Sequence, residues 1–174
     1  MKKIHVTSRS CEDTMRLGMC FAKVLKPGDI VCLFGELGAG KTTLVKGLAQ
    51  GLRLKPEKVH SPTFVLLNIY KGQVPLYHFD LYRIESPDLL GMGYEEFFYG
   101  EGIAVIEWSE KLGGFMPQEY WKVELAHAGD DVRKVSISAH GERYKERSVK
   151  ALELWFDSLR PSTSSGRSSL TTVR

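Results

Sequence analysis

Apolar positions recur along this chain with two different spacings, and the changes between them mark out its elements. Leu17, Cys20, Phe21, Val24 and Leu25 fall on one helical face behind Ser10 and Asp13, whose separation of three resembles a capping box, so a first helix is expected over 11–25. Pro27, Gly28 and Asp29 make a turn. The run IVCLF at 30–34 is apolar at every position and partly β-branched, as in a strand covered on both faces. Helical spacing returns after Thr42 with Leu44, Val45, Leu48, Ala49 and Leu52. Residues 65–70 and 74–82 read as a hairpin around Lys71 and Gly72, and 102–108 as a further short strand. A second hairpin is expected from 120–126 and 132–138, separated by Gly129 and Asp130. The aromatic cluster YEEFFY at 94–99 reads as helix and packing. A last helix over 142–159 would bury Val149, Leu152, Phe156 and Leu159.

Length and composition add little to this outline. The chain has 174 residues, 43% of them apolar, which suits a single core, and residues 1–160 are expected to form one domain. Residues 161–174, PSTSSGRSSLTTVR, hold eight Ser or Thr and two apolar side chains, too little to repay the entropy of ordering, so a disordered tail is expected. A formal charge of +3, from 24 basic and 21 acidic residues, does not announce nucleic acid or membrane. Cys11, Cys20 and Cys32 form no C-x-x-C pair and read as buried thiols of a reducing compartment. No apolar stretch follows MKKIHV, and no run is long enough to span a bilayer, so a cytoplasmic protein with no membrane partner is expected.

Residues 35–42, GELGAGKT, change the picture. They fit G-x-x-x-x-G-K-[ST] and join a buried strand to a helix N-terminus, the setting in which such a loop cradles phosphates. Glycines let successive backbone N–H groups of Leu37, Gly38, Ala39, Gly40, Lys41, Thr42 and Thr43 converge on phosphate oxygens. The helix N-terminus adds partial positive charge and Lys41 a full one. The Thr42 hydroxyl is placed to ligate Mg²⁺. Guanine-specific switches carry N-K-x-D, which this sequence lacks, so ATP is the expected nucleotide. The fold expected around such a loop is α/β: a P-loop NTPase-like three-layer sandwich with a mixed parallel and antiparallel sheet.

A P-loop works with an acidic residue at the end of a neighbouring strand. Glu107 ends the apolar run IAVI and has the position of a Walker-B carboxylate. Asp80 lies in LYHFDLYR, where alternation sets Leu76, His78, Asp80 and Tyr82 on one face and Tyr77, Phe79 and Leu81 on the other. One face is core, and the other carries chemistry or meets water. His78 lacks any partner spacing that would make it a metal ligand. Ser61-Pro-Thr-Phe64 reads either as a turn or as a switch segment in which Thr63 senses a γ-phosphate.

Taken together and in this order, GELGAGKTT, SPTF, HFDLYR and IEW resemble the TsaE (YjeE) family of bacterial ATPases over about residues 14–133. Glu36 departs from the Asp frequent there, and Ser109 from the Pro frequent after the tryptophan. The resemblance implies a part in making threonylcarbamoyladenosine in tRNAs that read codons beginning with A. It implies action with the TsaB and TsaD proteins, so that tRNA is met through the complex, with ATP turnover supporting repeated cycles. It also implies phosphate contacts on the 37–43 loop, magnesium at Thr42 and Glu107, and an activity-critical carboxylate at Asp80. Trp108 would sit near the nucleotide, and Cys11, Thr14 and Arg133 would approach the nucleoside. Two other readings share the P-loop: a small-molecule kinase, and a module that binds ATP without turning it over.

Overall fold

The computed structural model describes residues 3–91 and 93–145. Seven strands form one sheet: β1 (Lys3–Ser8), β2 (Ile30–Phe34), β3 (Leu67–Tyr70), β4 (Leu76–Asp80), β5 (Ile103–Glu107), β6 (Tyr120–His127) and β7 (Arg133–His140), in the order β1-β7-β6-β2-β5-β4-β3. The four central strands, β6-β2-β5-β4, run parallel, while β7 and β1 at one edge and β3 at the other are antiparallel to their neighbours. The expected mixed sheet and both expected hairpins are present.

Helices α1 (Cys11–Ala22) and α2 (Lys41–Gly51) cover one face, over a core that includes Phe21, Leu44, Leu48, Leu33, Val105 and Trp121. The other face is covered by α3 (Tyr94–Phe98) and the 3-10 segments Ser86–Gly91 and Ser109–Phe115, over Cys32, Phe79, Leu81, Ile106 and Phe98. Three layers result, the second helical layer much thinner than the first. Alternation along β2 explains the split: Val31 and Leu33 point to one core, Ile30 and Cys32 to the other. Burial pushes the Cys32 thiol up to about 12, opposed by a hydrogen bond from Ser109, so this cysteine is unreactive.

Several expectations are corrected. The first helix ends at Ala22, and Val24 and Leu25 stay buried in a tight turn, because the periodic signal reports burial rather than helicity. Val65 is no strand residue. It belongs to a turn closed by Val65 N and Leu66 N donating to Pro62 O, with Leu66 at φ 69° and Val65 64% exposed. Cys11 is exposed, not buried. Strand β4 is interior, so the face with Leu76 and His78 is core as well, and that face reaches the cleft at its end, Asp80. Strand β1 was not foreseen, although Ile4, Val6 and Ser8 are buried and alternate with exposed Lys3, His5 and Thr7. Of the expected last helix, Glu142–Lys145 (α4) is helical; its remainder and the 161–174 tail lie outside the described residues.

The α1–α2 crossing holds the phosphate-binding loop in place, and it relies on missing side chains. A Cβ on Gly47 would lie 2.1 Å from Met15 O, and one on Gly18 would lie 2.4 Å from Leu44 O, so the backbones touch directly. Gly47→Ala should therefore force the helices apart and destabilise the protein by about 1–3 kcal/mol. Chemical denaturation checks this; an unchanged midpoint would show that the crossing is loose.

Candidate functional site

The loop between β2 and α2 is shaped by three glycines at positive φ: Gly35 (139°), Gly38 (77°) and Gly40 (99°). Gly35 also passes so close to β6 that a Cβ there would meet Leu125 O at 2.2 Å. Only glycine satisfies both demands. The loop delivers Lys41 and Thr42 into the first turn of α2, where amide hydrogens have no intrahelical acceptor.

Lys41 is folded over this loop. Its Nζ donates to Gly35 O at 2.5 Å and Glu36 O at 3.0 Å, and lies 3.6 Å from the centre of the Trp108 ring. Burial, the largest influence, lowers its pKa, while Glu107, Glu110 and Asp80 act in the opposite direction. A desolvated cation beside the unpaired amide donors of a helix N-terminus is a site that an anion stabilises. Trp108 itself has φ 60°, a left-handed conformation that turns its ring toward Lys41 and against Tyr82, 4.9 Å away.

The carboxylates come from adjacent parallel strands. Asp80 and Glu107 are register partners at the ends of β4 and β5, on the face toward α2. Thr42 Oγ1 donates to Glu107 Oε1 at 2.8 Å and Oε2 at 3.1 Å, which brings together the two residues expected to meet magnesium. This donor set fits that ion. Both groups offer hard oxygen, and no cluster of three His, Cys, Asp or Glu suited to a metal exists among the described residues; a magnesium site that takes most of its ligands from phosphate and water needs no more. His78, buried on β4, shares Glu107 Oε1 through its Nε2 at 2.8 Å.

Asp80 is engaged differently. Its Oδ2 accepts from the hydroxyls of Ser61 and of Thr63 (2.6 Å for Thr63), and its Oδ1 accepts from Tyr82 N at 2.9 Å. The SPTF segment is thus fastened to the end of β4. A cleft of about 370 Å³ gathers the loop residues Leu37, Gly38, Ala39, Gly40, Lys41, Thr42 and Thr43 with Asp80, Glu107, Trp108 and Thr63. Ser61 of the SPTF segment and Tyr82, which alternation set on the Asp80 face, line it too, although neither was expected as a binding or catalytic residue.

Cys11, Thr14 and Arg133 meet on the other side of the loop, in a small cleft of about 50 Å³ bounded by Gly38, Gly40 and Thr43. Asp131 and Ser10 complete it. Arg133 Nη2 donates to Gly38 O at 3.4 Å, while Nη1 is held by the β6–β7 turn through Gly129 O, Asp130 O and Val132 O. The Thr14 hydroxyl is already bonded to Ser8 and Ser10, so Thr14 presents its methyl group toward Gly40.

No helix among the described residues is long and apolar enough to cross a membrane. Comparison with known proteins gives a consistent answer. The family model described as threonylcarbamoyl adenosine biosynthesis protein TsaE matches residues 8–135. A tRNA threonylcarbamoyladenosine biosynthesis protein TsaE from Bacillus subtilis is 40% identical over 148 residues, covering 83% of this chain and 91% of its own. One from Treponema pallidum is 42% identical over 136 residues, covering 78% of this chain and all of its own. The crystal structure of Bacillus subtilis YdiB superposes with a TM-score of 0.75 at 34% identity, over 90% of this chain and 97% of that one. A phosphate-binding loop, its paired strand-end carboxylates and these matches over most of the chain together place it in the TsaE family.

Proposed function

We propose that this protein binds Mg-ATP and hydrolyses it in support of tRNA threonylcarbamoyladenosine biosynthesis, acting with TsaB and TsaD. The observation that carries this reading is the convergence of Lys41, the Thr42–Glu107 pair and Asp80 on one cleft around the glycine loop. Loop amides and Lys41 would bind the β- and γ-phosphates, with Lys41 exchanging its contacts to Gly35 O and Glu36 O for phosphate oxygens. Thr42 Oγ1 and a Glu107 oxygen would hold magnesium, which when bound neutralises charge on the phosphate oxygens. Asp80 would orient the attacking water or take its proton. Trp108 would cover the site and exclude solvent, and Cys11, Thr14 and Arg133 would flank the nucleoside.

Thr63 links the chemistry to a surface. Ser61 and Thr63 are tied to Asp80, while the adjoining Phe64 is 82% exposed. A change at Asp80 on γ-phosphate binding would be passed to an exposed apolar side chain, which a partner can read. By linkage, a partner that prefers the nucleotide-bound surface must tighten nucleotide binding in return. Phosphate release measured with and without purified TsaB and TsaD tests the reading. Slow hydrolysis alone and a rate altered by the partners are expected; no phosphate release under either condition would overturn the ATPase assignment.

A further inference from the structure

His78 plays no part in the chemistry above, yet its setting is unusual. It is fully buried on β4, flanked in register by Asn68 of β3 and Val105 of β5, and it does not line the cleft. One ring nitrogen, Nε2, meets Glu107 Oε1 at 2.8 Å, and the other, Nδ1, is buried with no hydrogen-bond partner. An unpartnered buried polar atom is costly, and an apolar residue of similar size would avoid that cost. What His78 gains in exchange is one side-chain hydrogen bond, to Glu107.

That contact decides how the carboxylate is presented. A carboxylate oxygen only accepts, so Nε2 carries the proton and donates it. Glu107 is 3% exposed and has two holders, the Thr42 hydroxyl from the loop side and the His78 ring from inside the sheet. Thr42 reaches both oxygens, at 2.8 and 3.1 Å, and so leaves the choice between them open. His78 binds one oxygen alone. With Oε1 held by the ring, Oε2 has Thr42 as its one partner and is the oxygen freer to meet a ligand. Thr42 stands in the first turn of α2, directly after the phosphate loop, whereas His78 stands on an interior strand, so its hold comes from a different element.

We propose that His78 is a positioning residue that fixes the orientation of the Glu107 carboxylate and thereby sets the affinity of the site for magnesium. The proposal rests on the assignment of Mg-ATP binding above. Hydrogen-bond partners behind a metal-binding carboxylate are typically worth about 10- to 100-fold in metal affinity. His78 touches neither the cleft nor its contents and acts only through Glu107.

The test is the magnesium dependence of equilibrium binding of a non-hydrolysable ATP analogue, measured by calorimetry, together with thermal melting. For His78→Leu, the magnesium concentration giving half-maximal tightening should rise about 10- to 100-fold, while affinity at saturating magnesium stays close to that of the unchanged protein. His78→Gln, whose amide nitrogen falls near the place of Nε2, should restore the response. His78→Asn, whose nitrogen falls near Nδ1, should not. The Gln and Asn pair decides the matter even where His78→Leu fails to fold, because both carry the same amide and one methylene sets where its donor sits. Equal magnesium responses in the unchanged, Gln and Asn proteins, whatever the melting temperatures, would overturn the positioning role. If magnesium does not tighten analogue binding by the unchanged protein, the Mg-ATP reading fails and this inference fails with it.

Discussion

Replacing Lys41 by alanine should leave the protein folded and all but remove nucleotide binding. Lys41 contributes no core side chain: its contacts are two loop carbonyls and one face of Trp108. Burial disfavours its charge and lowers its pKa, which offsets part of what those contacts contribute to the empty protein. With nucleotide bound the balance reverses, because the same ammonium faces several phosphate charges in a half-enclosed cleft. Removing one partner from a desolvated charged contact costs about 2–5 kcal/mol, roughly a 30- to 5,000-fold loss of affinity. Lys41→Met, which keeps the stem beneath Trp108, should lose as much, which separates charge from packing. Calorimetric titration with the ATP analogue, beside circular dichroism of each variant, measures both quantities. Affinity within a few-fold of the unchanged protein would show that the loop binds phosphate through its amides alone.

Much of this arrangement was legible because the loop chemistry is local. Gly35, Gly38, Gly40, Lys41 and Thr42 lie in one short segment, and their order alone announces a phosphate-binding loop. The strand-end carboxylates were legible for a related reason: an acidic residue that closes an apolar run has to point somewhere a charge is tolerated. Contacts between distant segments were harder to read. His78 shares a face of β4 with Asp80, so alternation placed it correctly, but nothing in the sequence tells that Glu107 sits one strand away at hydrogen-bond distance. Ser61 looked like turn material because hydroxyl residues before proline usually are. Its bond to Asp80 depends on the antiparallel return of β3 along β4, a tertiary fact. Strand β1 was lost for want of apolar weight, since only Ile4 and Val6 mark its buried face and Ser8 disguises the alternation. The exposed Val65 shows the converse: a β-branched residue beside the site lies in a turn with its side chain outside.

Asp80→Ala should separate binding from turnover. Asp80 is a carboxylate, which repels phosphate oxygens rather than holding them, and its present partners are Ser61, Thr63 and Tyr82 N. Ser61 and Thr63 are hydroxyls near the surface that water can satisfy, so the fold should survive. A positioned acid–base group typically contributes about 10²- to 10⁴-fold to rate, and the single-turnover rate of ATP hydrolysis should fall by that order while Mg-ATP affinity changes only a few-fold. Glu107→Ala should fail in the other way, with a weakened magnesium dependence of nucleotide binding. Equal loss of binding in both variants would refute this division of labour. The contrast extends to the pathway. If ATP turnover resets a conformation that the Ser61–Thr63 segment displays to partners, then Asp80→Ala should bind nucleotide, engage its partners and stall. In a reconstituted system it should permit limited rounds of tRNA modification where the unchanged protein sustains many. Sustained modification by Asp80→Ala at the normal rate would mean that hydrolysis is not the coupling step, and that bound ATP acts here by ordering a surface.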